Sequence, residues 1–518
     1  MNQSIAFLLQ ESLQRATIRG PLKEAVVVEG APYSYRQLWE DASHMAAALN
    51  RRGLQRGDRV AIYMDNTWPC VVSIYAALLA GGVFLIINPQ TKADKLAYIL
   101  GDSGARFLMT DAHLAHSFKS VVSNLPDLAA VICSGAEMDC VHVESFNTVL
   151  QEPINIANSE SITPLDLAAL IYTSGSTGNP KGVMQTHQSM LFAANSLVRY
   201  LRLDDADRIL CVLPLGFDYG LYQLIMAIEL GATLVLERSF TFPAQIFARI
   251  QEQRVSVFPG VPTIYAMLLS IHARSPLQLP SVTRVTNTAA ALPDDFVPRL
   301  RNIFPNALIY RMYGLTECKR VSYLEPELAD QLPGSVGKAI PGTEVYLRSA
   351  EGQPVQRGET GILYVRGPHV MLGYWGQPEL TAYMLKPGQL PGERVLCTQD
   401  YFRMDEEGYL YFVGRNDDII KSRGEKVSPI EVENAMYKIP GIREVAVVGV
   451  DDETLGQAVR AFVVLDGTVA LTEKQVRTQC LARLENYMVP RDIIFCVELP
   501  KTTTGKVSKK LLMEQFPT

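Results

Sequence analysis

Apolar and polar positions along the chain follow two rhythms. Residues 36–52 carry apolar side chains at a spacing of three to four, closed by Gly53; 93–101 is a further helix candidate, and 71–80, apolar almost throughout, reads as a buried helix. Short apolar runs at 59–64, 83–87 and 106–109 fall between them. The first rhythm marks one face of a helix, the second a strand buried on both faces. Further strand candidates follow at 130–133, 167–172, 209–213, 232–236, 255–258 and 307–310, with helix candidates between them, among them 221–230 and 263–269. Strands alternating with helices predict parallel sheets covered on both faces.

From Gly334 glycine and proline become dense, and short alternating strands are expected at 344–348, 361–365 and 409–413. That texture predicts an antiparallel, β-barrel-like subdomain. A polar turn follows Gly414-Arg415, and the run 414–427 is read as an interdomain turn. A compact α+β segment comes next, with a helix at 429–438 and a strand at 445–450. The expected fold class is therefore α/β. A large N-terminal domain (1–416) joins helix-covered parallel sheets to the barrel-like part, and a small α+β lid domain (417–518) follows.

At 518 residues, 48% apolar and 20% charged, the chain suits a folded protein of more than one core. A net charge of −6 argues against nucleic acid as its main partner. The eight cysteines are scattered without metal-ligand spacing, which fits a reducing, cytoplasmic setting. Residues 70–87 hold no charge, but Gly81-Gly82 divides them into a helix and a strand, so no membrane span is expected.

Candidate chemistry concentrates after the run 167–171. Thr173, Ser174, Gly175, Ser176, Thr177, Gly178, Lys181 and Gly182 place four hydroxyls, three glycines and one lysine within ten residues. Glycines let backbone N–H groups approach an anion, and hydroxyls and a cation complete a polyphosphate cradle. The order Pro180-Lys181-Gly182 excludes a Walker A loop. Four further segments look chemical: Met312-Tyr313-Gly314-Leu315-Thr316-Glu317, Thr398-Gln399-Asp400, the run from Gly414, and Pro500 to Lys506. Each alone is ordinary turn chemistry.

In this order and spacing, over essentially the whole chain, they resemble the adenylate-forming superfamily of acyl-CoA synthetases, luciferases and nonribosomal peptide synthetase adenylation domains. The resemblance implies two steps. A carboxylate attacks the α-phosphate of Mg²⁺-bound ATP, giving an acyl-adenylate, and a thiol then takes the acyl group. It implies that residues 173–182 hold the β- and γ-phosphates and that Glu317 helps hold Mg²⁺. Ala289, Ala290, Tyr313, Gly314 and Thr316 would surround the nucleotide, and Asp400 with Arg415 would bind the ribose. Lys506 would act at the α-phosphate, with Thr173 and Glu317 as the other catalytic residues, and Asp417 would be the hinge. Two departures stand out: Thr288 to Pro293 reads Thr-Ala-Ala-Ala-Leu-Pro where relatives often carry Gly-Gly, and Gln399 stands where glycine is common.

Leu213 to Gly220 bears on the acid. Phe217-Asp218 resembles amino-acid adenylation domains, in which the aspartate receives the substrate ammonium. The alternative is that Asp218 caps a helix starting near Leu221. By the same resemblance the acyl pocket would be lined by Phe217, Asp218, Tyr219, Tyr222, Pro259, Thr286, Thr288, Met312, Arg320 and Val321. Arg320, after Lys319, either reaches a polar substrate end or pairs with a surface carboxylate. The leading expectation is activation of an amino acid, proline-like or a β-amino acid, for natural-product biosynthesis. The acceptor would be the phosphopantetheine thiol of a stand-alone carrier protein, since only twelve residues follow Lys506. The alternative is an acyl-CoA or acyl-AMP ligase acting on a non-amino carboxylic acid, with coenzyme A as acceptor. A non-catalytic nucleotide-binding relative is disfavoured, because the phosphate loop, Glu317, Asp400 and Lys506 are all present.

Overall fold

The computed structural model describes residues 6–125, 127–135, 143–154, 161–174, 179–288, 290–415, 418–422, 425–452, 456–502 and 506–516. The chain packs as two units. One comprises residues 1–258, 315–320 and 366–396; the other comprises 259–314, 321–365 and 397–518.

In the first unit the alternating pattern becomes a sheet ordered Gly373–Tyr374, Pro180–Thr186, Leu167–Ser174, Val83–Ile87, Arg59–Tyr63, Ala105–Asp111, Ala130–Ser134, Val143–Ser145. All five residues of Val83–Ile87 are buried, as an unbroken apolar run requires. The sheet is mixed rather than wholly parallel. Leu167–Ser174 turns straight back into Pro180–Thr186, and a connection that short joins only antiparallel strands. A second group of strands, Arg208–Cys211, Thr233–Leu236 and Glu24–Val28, is parallel, with Ala31–Ser34 antiparallel at its edge. The helix Tyr35–Arg51 starts where Ser34 Oγ accepts from the Gln37 N–H.

The uncharged stretch resolves as expected into the helix Trp68–Leu79, with Pro69 in its first turn, and the strand Val83–Ile87. Among the described residues no helix is long and apolar enough to cross a membrane. Cys70, Cys133, Cys211, Cys318, Cys397, Cys480 and Cys496 are all free thiols.

In the second unit Arg284–Asn287 lies parallel to Leu308–Tyr313. Antiparallel strands continue from there, Ser322–Leu324, Ser335–Ala339, Leu410–Arg415 and Arg394–Met404, with Thr360–Arg366 and Glu344–Arg348 next in the sheet. The run 414–427, read from sequence as a turn, contains two short antiparallel strands, Ile420–Ser422 and Glu425–Val427. Three-residue strands are too short to show a period, so composition alone pointed to a turn.

The small C-terminal domain has a core on each face of its sheet. Along Ile442–Asp452, Val445 and Val447 join Val432, Met436 and Cys480 on one side. Ala446, Val448 and Val450 join Phe462 and Leu512 on the other, the period of two expected of a strand covered on both faces.

Candidate active site

The segments flanking the expected phosphate loop are paired antiparallel strands. Thr173 pairs opposite Lys181 and Ser174 opposite Pro180. Gly175, Ser176, Thr177, Gly178 and the Ser174 side chain lie outside the described residues. Gly182 has a packing reason to be glycine: a Cβ there would meet the Tyr172 ring at 3.1 Å and Trp375 Cβ at 3.3 Å. Lys181 Nζ stands 5.8 Å from the centre of the Tyr374 ring. The Tyr374 hydroxyl donates to Glu317 Oε1 at 2.6 Å. Burial pushes that phenol well above its ordinary range, and the Glu317 charge adds to the shift. Two further bonds fix the same turn: Gln185 Nε2 donates to the Thr316 carbonyl (3.0 Å), and the Met371 N–H donates to the Glu317 carbonyl (2.8 Å). Lys181, Thr316 and Glu317, far apart in sequence, are thereby gathered within one unit.

The first unit also holds one part of the expected acyl pocket. The helix Asp218–Leu230 begins at Asp218, earlier than the sequence suggests, and its N-cap, Phe217, makes no side-chain cap bond. Asp218 is thus not a cap for a helix starting at Leu221; its charge sits in the first turn, where the helix dipole favours it. Gly220 masked this start, being a poor helix former. A Cβ at Gly220 would lie 2.4 Å from the Pro214 carbonyl oxygen, which excludes any other residue. Phe217 packs edge-on against Tyr219, and Tyr219 and Tyr222 are buried.

Lys319 covers Asp218. Its Nζ donates to the Asp218 carbonyl at 2.8 Å and stands 3.5 Å from Oδ2. It also lies 4.3 Å over the Tyr222 ring. Burial lowers this ammonium to about 7; Asp218 opposes the shift and Arg320 adds to it. Arg320 is only 1% exposed, with its guanidinium 5.7 Å from the Tyr219 ring.

The second unit carries the remaining positions. Tyr313 donates to Asp400 Oδ2 at 2.5 Å, and Arg415 Nε lies 3.6 Å from Oδ1. Asp400 and Arg415 are cross-strand partners, which explains why residues fifteen apart meet. Gly314 follows Tyr313 directly. Asn287 Nδ2 donates to the Ala290 carbonyl, bracing the Thr288 segment; Ala289 lies outside the described residues. Pro259, Thr286, Thr288, Met312 and Val321 are buried in this unit, where the Tyr265 hydroxyl donates to the Thr286 carbonyl. Lys506 closes a turn in which the Thr502 N–H donates to its carbonyl and its own N–H donates to Thr502 Oγ1. Asp417 and the expected boundary at 416–417 lie outside the described residues.

The sequence matches the family model described as AMP-binding enzyme over residues 13–375, and the AMP-binding enzyme C-terminal domain over 431–506. The chain belongs to the AMP-binding enzyme family. Among its relatives, a long-chain-fatty-acid–CoA ligase of Bacillus subtilis is 32% identical, over 98% of this chain and 94% of that protein. A linear gramicidin synthase of Brevibacillus parabrevis is 30% identical over 97% of this chain, but over only 10% of its own length. A solved anthranilate CoA ligase in complex with anthranoyl-AMP superimposes with a TM-score of 0.90 at 28% identity, covering 99% of this chain and 98% of that one.

Two contacts of this AMP-binding enzyme lay beyond what its sequence shows. Tyr374 was hidden among ordinary core aromatics, and only its contact with Glu317 singles it out. The partner of Lys319 lies 101 residues away, beyond any local pattern. The left-handed backbone of Lys319 (φ 61°) was equally invisible, since lysine gives no hint of it.

Proposed function

We propose that this enzyme, an AMP-forming carboxylate ligase, joins a carboxylic acid without an α-amino group to coenzyme A. In the first step a carboxylate oxygen of the acid bonds to the α-phosphorus of ATP. The bond to the leaving oxygen breaks, giving acyl-adenylate and pyrophosphate. In the second step the coenzyme A thiolate bonds to the acyl carbon and AMP departs with the electron pair. Neither step needs a protein nucleophile; both need charge neutralised and groups positioned.

The residues suit those needs. Lys181 and the segment from Thr173 are assigned to the outer phosphates. Asp400, a buried carboxylate beside Arg415, suits the ribose hydroxyls as hydrogen-bond donors. Tyr313, Gly314, Ala289 and Ala290 are assigned to the base. Glu317, oriented by Tyr374, offers a hard oxygen ligand to Mg²⁺, which would neutralise phosphate charge there. Lys506 is assigned to the α-phosphate, and Asp417 to the hinge of a lid domain starting near residue 417.

The observation that carries the acid reading over the amino-acid one is the place of Lys319. Asp218, the carboxylate assigned to a substrate ammonium, already has a cation of the chain 3.5 Å from Oδ2. The likeness to CoA ligases along nearly their whole lengths supports the same choice. The amino-acid reading, with a phosphopantetheine carrier as acceptor, keeps Asp218 itself and the partial likeness to gramicidin synthase. Incubation with Mg·ATP, a panel of carboxylic and amino acids, and either coenzyme A or a phosphopantetheinylated carrier protein separates them by product mass. Acyl-CoA is expected; aminoacyl-carrier as the sole product would reverse the choice.

A further inference from the structure

The Lys319–Asp218 pair is built rather than incidental. Lys319 is 4% exposed, and its backbone occupies the left-handed region at φ 61°. A side chain other than glycine holds that conformation only where its surroundings enforce it, and such positions cluster at functional sites. Here the conformation accompanies a buried ammonium set against both the carbonyl and the carboxylate of Asp218, at the start of a buried helix. The Tyr219 and Tyr222 rings wall the ammonium at 5.7 and 4.3 Å, the geometry of a cation site. An incoming substrate ammonium would find the position on Asp218 already filled by Lys319 Nζ, beside the buried Arg320 guanidinium. Like charges in a desolvated pocket repel strongly.

We propose that Lys319 is the residue that sets substrate class: its ammonium occupies the place on Asp218 that a substrate amine would need. The acyl site therefore takes the plain carboxylic acid and rejects the amino acid of the same carbon skeleton. This rests on the acid-ligase reading above and adds a cause residing in one side chain.

The test is ATP–pyrophosphate exchange with matched pairs: butanoate and 2-aminobutanoate, phenylacetate and phenylglycine, cyclopentanecarboxylate and proline. Wild type is compared with Lys319→Met, Lys319→Gly and the double variant Asp218→Asn/Lys319→Met. Glycine suits the left-handed backbone, so Lys319→Gly carries the comparison if the methionine variant does not fold. In kcat/KM, wild type is expected to favour the plain acid. Both single variants should move the amine-to-acid ratio at least about tenfold toward the amine, the scale of one uncompensated charge pair. The double variant should cancel that shift. A purely structural role would depress both members of a pair alike and leave the ratio unmoved, which overturns the proposal. A wild type that prefers the amine member overturns it while leaving adenylation intact, whereas no exchange with any acid or amine removes the ligase reading itself.

Discussion

Tyr313 donates its hydroxyl hydrogen to Asp400 across 2.5 Å, joining the end of the strand Leu308–Tyr313 to the strand Arg394–Met404. Phe402 and Phe412 pack the Tyr313 ring at 4.7 and 5.9 Å, so ring and carboxylate are held in one arrangement. If Asp400 receives the ribose hydroxyls, Asp400→Asn removes the charge while keeping the shape. A hydrogen bond to a charged group contributes about 1.5–3 kcal/mol, so affinity for ATP should fall about tenfold or more. Titration calorimetry with ATP checks this, and an unchanged affinity would take Asp400 out of the nucleotide site.

Gln399, next to Asp400, has φ 61° and so occupies the left-handed region that glycine enters freely. A glycine there would adopt this backbone without strain. Relief of the Cβ clash is worth roughly 1–2 kcal/mol, offset by glycine's larger entropy loss of about 0.5–1 kcal/mol. Gln399→Gly should therefore raise unfolding stability by up to about 1 kcal/mol in urea titration. Gln399→Val, β-branched, should lower it; a loss on the glycine change would mean that the side chain matters more than the backbone.

His187 is 2% exposed, and its Nδ1 accepts from the Leu9 N–H at 3.2 Å. Burial pushes its pKa down to about 4, while Asp166 and Glu11 oppose the shift. Between the unfolded value and 4 the unfolded chain binds a proton that the folded chain does not. Stability is therefore fully present above about pH 6.5 and is lost as pH falls toward 4, by on the order of 3 kcal/mol. His187→Asn, which retains an acceptor for Leu9, should flatten the pH dependence of stability over that window by the same amount. Parallel curves for the two proteins would show that His187 does not titrate in this way.

Much of this was legible in the sequence wherever burial imposes a period. The strands Val83–Ile87 and Glu344–Arg348 were read at their true bounds, one as an unbroken apolar run and the other as an alternation. Tertiary requirements hid the rest. Gly220 stands inside a helix because the Pro214 carbonyl leaves no room for a Cβ, and that moved the apparent helix start past Asp218. The meaning of Asp218 changed most. From sequence it was a carboxylate in search of a cation, and no local pattern shows that Lys319 reaches it. The motifs thus pointed to adenylation, while the contact on which the proposed acid class rests is non-local.

Lys506 is assigned to the α-phosphate, where charge changes most during adenylation. Lys506→Ala should lower acyl-adenylate formation by about 10²–10³-fold, the usual cost of removing one preorganised donor. ATP binding by calorimetry should stay nearly unchanged, since the assigned phosphate, ribose and base contacts remain. Adenylation at the wild-type rate would remove Lys506 from the mechanism.

The most direct measurement is acid-dependent ATP–pyrophosphate exchange by the purified protein with Mg²⁺ and no thiol present. Exchange supported by a plain carboxylic acid, without coenzyme A or carrier, is the predicted result, because adenylate formation precedes any thiol. Failure of every acid and amino acid to support exchange, in a protein that binds ATP, would contradict the account.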